Sequence, residues 1–223
     1  MEDVVGVYHR PPDPRFPVVC FDEGGKEPTV DARPALPMAP RVPATAAQAG
    51  QPGQVTRIDH EYVRQGSANL FVWTAPHLGL RAVTVTARRT AVDFAVAMRD
   101  LVDDPRLADA ERIVLVLDNL NTHRPASLYK AFLPHEARRI LDRLEWHYTP
   151  LHGSWLNIAE IELGVLARQC LARRIPDDTP LQREVAAWAA HRNAAQVGVD
   201  WQFTAVDARV TLHRLYPVPV FAE

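Results

Sequence analysis

The sequence predicts an α/β fold: a mixed sheet flanked by helices. Three features point to it. Short β-branched and aromatic runs separated by turn residues crowd the first half of the chain. An uninterrupted apolar run, Ile113 to Leu117, has the character of a central strand buried on both faces. Segments of helical spacing then alternate with strands through the second half. At 223 residues, with 47% apolar and 23% charged side chains, the chain is long enough and ordinary enough in composition to bury one full core.

The elements follow in order. Residues 1–17 are marked by proline ("HRPPDPRFP") and are expected to be extended. "VVCF" (18–21) is a short buried strand that closes on Asp22-Glu23 and turns at Gly24-Gly25. Residues 28–53 hold six prolines, many alanines and no aromatic residue, the composition of a loop and not of a packed element, with weak order expected from about 34 to 53. The stretch 57–64 alternates Ile58, His60, Tyr62 and Arg64 against Arg57, Asp59, Glu61 and Val63. With "NLFVWTAP" (69–76) and "RAVTVTAR" (81–88) it reads as a three-stranded meander. Spacing turns helical over 90–104, where Thr90 and Asp93 have the form of a capping box. "RIVLVLDN" (112–119) is the central strand. "PASLYKAFL" and "HEARRILDRL" are helical segments split by Pro134, and "EWHYTP" is another short strand. Helices are predicted from Ser154, as N-cap, to about Arg173, from Pro180 to about Asn193, and from Val206 to Leu215.

Composition excludes several classes. No run approaches the roughly 18 uncharged apolar residues of a membrane span, and "MEDVVGVYHR" lacks the apolar stretch of a signal peptide, so a cytoplasmic location is the default. Cys20 and Cys170 sit in apolar surroundings outside any C-x-x-C pattern, which argues for reduced core thiols and against structural zinc. The formal net charge of −2 speaks against a dedicated nucleic-acid coat, although Arg88-Arg89 and the arginines between 168 and 174 are local basic groups. "VLVLDN" has the look of a Walker-B strand, but no G-x-x-x-x-G-K-[ST] accompanies it. No G-x-S-x-G elbow supports a serine nucleophile either.

Three acids stand out by position. Asp22 and Asp118 close apolar strands, the end of a sheet where catalytic groups gather. If the two strands are neighbours, their carboxylates repel and a divalent cation is the usual remedy. Glu160 follows the last strand on a helix. At about 100° per residue, Asn157, Glu160, Gly164 and Arg168 share one line of that helix, and Glu162, Gln169 and Arg173 share nearly the opposite one. One stripe is expected to reach solvent and the other to face a polar site. Periodicity does not say which is which.

At these residues the chain resembles a known family. "VVCFDE", "VLDNLNTH" and "HYTPLHGSWLNIAEIE" look like the three acidic motifs of the transposases of bacterial insertion sequences in the mariner-like superfamily, which are DDE-type endonucleases. The resemblance extends through "YVRQGSANLF", "RRTAVDFA" and "WQFTAVDAR". It implies a ribonuclease-H-like mixed five-stranded sheet, three antiparallel strands plus parallel ones, flanked by helices. The catalytic domain would span 18–215, with the extended segment 1–17 before it and a tail, 216–223, after it. The implied catalytic and metal-binding triad is Asp22, Asp118 and Glu160, holding two Mg²⁺ ions (Mn²⁺ substituting) about 3.5–4 Å apart. Asn119, His123, His152 and Asn157 become candidates to position phosphate or water around it, and Glu162 faces elsewhere. The implied activity is DNA strand cleavage and strand transfer at transposon ends, and the alternative is a non-catalytic, DNA-binding or regulatory remnant. The implied partners are double-stranded DNA, as terminal inverted repeats and target, and a second copy in a homodimer on DNA, with the protein at the nucleoid. Family members carry an N-terminal helix-turn-helix region, and no such segment is recognisable before Asp22. Either a separate polypeptide supplies recognition, or this is a catalytic fragment, or a degenerate copy.

Overall fold

The structure, a computed structural model, describes residues 1–34, 60–151 and 153–216. Most of the Pro/Ala-rich stretch 28–53, the first half of the strand expected over 57–64, His152, and the tail beyond Tyr216 lie outside the described residues.

The first element is a helix, α1 (Glu2–Tyr8), and the long strand β1 (Val18–Lys26) follows it. Two short strands, β2 (Thr29–Asp31) and β3 (Tyr62–Arg64), precede β4 (Ala68–Ala75) and β5 (Leu80–Thr86). Helix α2 (Ala91–Val102) starts on the expected capping box: the Thr90 side chain accepts from the Asp93 N–H, and the Asp93 carboxylate accepts from the Thr90 N–H. Strand β6 (Ile113–Leu117) is buried at every position. A short turn of helix, α3 (Leu128–Ala131), leads to α4 (Pro134–Asp142), where Pro134 occupies a first-turn position that needs no N–H donor. Strand β7 (Leu144–Tyr148), α5 (Ile158–Gln169), α6 (Asp178–Ala194) and α7 (Ala205–Thr211) complete the chain.

Five strands form one sheet in the order β5-β4-β1-β6-β7. β1 runs antiparallel to β4, and β4 to β5, whereas β6 lies parallel to β1, and β7 to β6. This is the ribonuclease-H-like arrangement expected, with three antiparallel strands on one side and parallel strands on the other. Alternation along the strands sends side chains to opposite faces. Val19 and Phe21 of β1, Phe71 and Trp73 of β4, and Leu115 and Leu117 of β6 pack on α2, α3 and α4. Cys20, Val114 and Val116 pack on α1 and the start of α5, and Leu70 and Val72 pack on α5 and α6. The sheet is thus the middle of three layers.

Four expectations need correction. Residues 1–17 are not wholly extended: α1 buries Val4, Val5, Val7 and Tyr8. The stretch 28–53 contains a strand at its start, β2, and it pairs with β3 in a separate two-stranded sheet. The segment Tyr62–Arg64 is therefore not the first strand of a meander, and β1 itself supplies the third antiparallel strand. Finally, Ser154 opens a single turn of 3₁₀ helix, Ser154–Leu156, and the N-cap of α5 is Asn157.

Candidate active site

Strand register brings the first two acids together. β1 and β6 pair in parallel as far as Cys20 opposite Val116. Asp22 and Asp118 each lie two residues further on, so they leave the sheet at the same level, and Asp22 keeps the side-chain direction of Cys20. That direction is toward the layer that contains the start of α5. The conjunction follows from the register of two apolar runs, each closed by an acid two residues past the last paired position.

The third acid is placed by the entry of α5. The Asn157 side chain accepts from the Ala159 N–H at 3.1 Å as N-cap and donates through Nδ2 to the carbonyl of Phe21 at 2.8 Å. It therefore ties the helix start to the residue before Asp22. Tyr8 of α1 donates its hydroxyl to the Leu156 carbonyl at 2.8 Å and accepts from the Ile158 N–H at 3.4 Å. Held from both sides, the first turn of α5 presents Glu160, half-buried, to the end of the sheet. Asn157 is fully buried, so its place is in the frame of the site and not in the cleft. Glu162 points away. Its Oε1 accepts from Arg81 Nε at 3.2 Å and from Arg192 Nη2 at 3.0 Å, and its side chain is 1% exposed. The stripe opposite Glu160 thus meets a buried ion pair where it passes Glu162, and not solvent.

Asp22, Asp118 and Glu160 line one open cleft of about 380 Å³ together with Glu23, Arg89, Leu120, Ser154 and Leu163. Burial pushes the Asp22 carboxyl up to about 7; the Glu23 N–H bonded to it opposes the shift, and the charges of Asp118 and Glu160 add to it. His123 does not line this cleft. It is fully buried, with Nδ1 at 2.5 Å from Asp118 Oδ1 and Nε2 at 3.6 Å from Glu23 Oε2. Burial pulls the His123 pKa down, but the hydrogen bond to Asp118 and the nearby Glu23 carboxylate outweigh it and the net shift is upward. Asn119 is exposed and donates through Nδ2 to the Thr149 carbonyl, which fixes the loop beside Asp118. His152 lies outside the described residues. Glu23 and Arg89 were not singled out as site residues. The one sequence signal for Glu23 was its place beside Asp22 at the end of a buried strand.

Three carboxylates are hard oxygen donors of the kind that hold Mg²⁺ or Mn²⁺; the upward shift of Asp22 comes first from burial, with the nearby charges of Asp118 and Glu160 adding to it. The donor chemistry fits a divalent cation. Among the described residues, no three His, Cys, Asp or Glu groups stand close enough to form a ready-made ion site.

No curated protein matches the sequence. Among solved structures, the chain is similar to the Mos1 strand transfer complex, at 16% identity and a TM-score of 0.47, over 87% of this chain and 54% of that one. It is also similar to the Mos1 transposase paired-end complex with left transposon end, at 14% identity and a TM-score of 0.32, over 82% of this chain and 56% of that one. The chain therefore spans about half the length of the solved chains it matches. The profile of the DDE superfamily endonucleases matches residues 17–182, a segment that begins just before β1 and takes in Asp22, Asp118 and Glu160. Over that span the chain belongs to the DDE superfamily endonucleases.

Proposed function

We propose that residues 18–215 are the catalytic domain of a mariner-like transposase, which cleaves DNA strands at transposon ends and transfers them to a target. One observation carries this reading: acids from β1, from the end of β6 and from α5 line a single open cleft in a chain of DDE endonuclease descent. Asp22, Asp118 and Glu160 are the catalytic carboxylates, and they hold two Mg²⁺ ions, for which Mn²⁺ substitutes. When bound, such ions stabilise charge on the phosphodiester and lower the pKa of water. The chain's own part is placement. Asp22 and Asp118 are fixed by paired strands, and Glu160 by a helix start that Asn157 and Tyr8 anchor. Asn119 holds the loop that follows Asp118. The partners are double-stranded DNA, as terminal inverted repeats and target, and a second copy on paired ends. Recognition of the repeats falls to a helix-turn-helix region, supplied by a separate polypeptide or by further sequence. The protein works in the cytoplasm at the nucleoid.

The test is nicking of supercoiled plasmid in Mn²⁺. Wild type is expected to nick, and Asp118→Asn and Glu160→Gln are expected to abolish it. Cleavage that survives both substitutions overturns the assignment. DNA association with a steep salt dependence, but no cleavage by any of the proteins, would identify a non-catalytic DNA-binding remnant instead.

A further inference from the structure

Behind Asp118 runs a chain of polar groups that the cleft itself does not require. His123 is enclosed by aromatic rings, with Phe94 at 4.7 Å and Phe21 at 5.5 Å between centroids, and none of its surface is exposed. Its backbone is held as well: the Tyr148 hydroxyl donates to the His123 carbonyl at 3.0 Å, and the His123 N–H donates to the Leu120 carbonyl at 3.0 Å. A ring so confined can present its nitrogens in few ways. Nδ1 meets Asp118 Oδ1 at 2.5 Å, and Nε2 faces Glu23 Oε2 at 3.6 Å.

Glu23 Oε2 and His123 Nε2 are both buried without a hydrogen-bond partner, and each is the other's nearby complement. Burying a carboxylate oxygen and an imidazole nitrogen is costly unless they meet. The Glu23 side chain is 7% exposed, and its outer oxygen lies 3.4 Å from Arg89 Nη1. The series Arg89, Glu23, His123, Asp118 therefore runs side chain to side chain and ends on a cleft carboxylate. At that end, Asp118 Oδ1 also accepts from the Leu120 N–H at 3.2 Å. With Oδ1 occupied by two donors, Oδ2 is the atom left for the cleft.

We propose that Glu23 is a positioning residue: it anchors His123 from behind, and His123 in turn fixes the orientation of Asp118. This deepens the metal-site reading above and rests on it for its functional consequence. Groups that stand behind a metal-ligating side chain commonly orient it, and removing such a partner weakens metal binding or activity by about 10–100-fold. Glu23 touches no reacting atom in this role. The alternative for a cleft-lining acid is direct ligation of the ion.

The full chain tests this with Glu23→Ala and Glu23→Gln, two readouts being made on each. The first is ¹⁵N-edited NMR of the histidine ring, without metal or DNA. The second is Mn²⁺ binding by calorimetry together with plasmid nicking. Wild type is expected to show slowly exchanging protons on both His123 nitrogens. Glu23→Ala should lose the Nε2 proton signal, and Glu23→Gln should retain it, because an amide oxygen there can still accept from Nε2. In parallel, Glu23→Ala should bind Mn²⁺ and nick about 10–100-fold less well, with Glu23→Gln restoring most of the loss. Wild-type behaviour from Glu23→Ala overturns the proposal. So does a Glu23→Gln variant as impaired as Glu23→Ala, which assigns Glu23 to ligation. If wild type neither binds Mn²⁺ nor nicks, the metal-site reading fails, and the NMR arm alone decides the anchor: a single slowly exchanging ring proton overturns it.

Discussion

Glu160 and Glu162 stand two positions apart on α5 and meet opposite surroundings. At about 100° per residue they point some 200° apart, so one reaches the cleft and the other lies against Arg81 and Arg192. The spacing alone separated the two stripes. It did not reveal that Glu162 is buried, because its partners come from β5 and α6, 81 and 30 residues away in sequence. Arg81 is itself 1% exposed, so removing Glu162 leaves a buried guanidinium without its counter-charge. Glu162→Ala is expected to destabilise the fold by about 3–5 kcal/mol in urea denaturation. Asp22 gives a second expectation at this scale. Its carboxyl is pushed up to about 7 in the folded chain, against about 3.9 in an unfolded one. The folded state therefore binds the extra proton, and the stabilisation this provides is full below about pH 4 and lost as pH rises through about 7. In chelator, Asp22→Asn is expected to melt higher than wild type at pH 8, and that gain should shrink toward pH 4. A constant difference across the range contradicts the burial argument.

Among the elements, α1 was the least legible. Seven residues with Gly6 in the middle and prolines after them offer too little periodicity to separate a helix from an extended arm. What makes it a helix is tertiary: its apolar face closes over Val18, Cys20 and Val116, and Tyr8 reaches the entry of α5. Tyr8→Phe strands the buried Ile158 N–H and Leu156 carbonyl and is expected to cost about 1–3 kcal/mol. An unchanged unfolding midpoint would show that this clamp contributes nothing. β2 escaped for a similar reason, since a three-residue strand carries no alternation to read, and without it the partner of β3 could not be found. By contrast α2 was fully legible, cap included, because a capping box is local chemistry. Thr90→Ala is expected to cost about 1 kcal/mol, again by urea denaturation.

For the whole molecule, the mixed sheet and the two acid-closed strands were readable, but the meeting of Asp22 with Asp118 was only conditional on those strands being neighbours. The parallel pairing of β1 with β6 supplies that condition. Of the supporting shell, His123 and Asn157 were named but their contacts were not readable, and Tyr8 was missed. His123, Asn157 and Tyr8 act through contacts spanning 5, 136 and 148 residues of sequence, and only the first is local. The same holds for the turn into β5. Gly79 has φ of +63°, and a Cβ there would lie 2.5 Å from the Gln196 backbone, so the segment after α6 fits only against glycine. The most direct measurement of the central claim is an anomalous-difference map from crystals soaked in Mn²⁺. Density for two ions between Asp22, Asp118 and Glu160, absent from Asp118→Asn crystals, is the result expected. Ions bound elsewhere, or at this cleft without contact to Glu160, would contradict the three-carboxylate site.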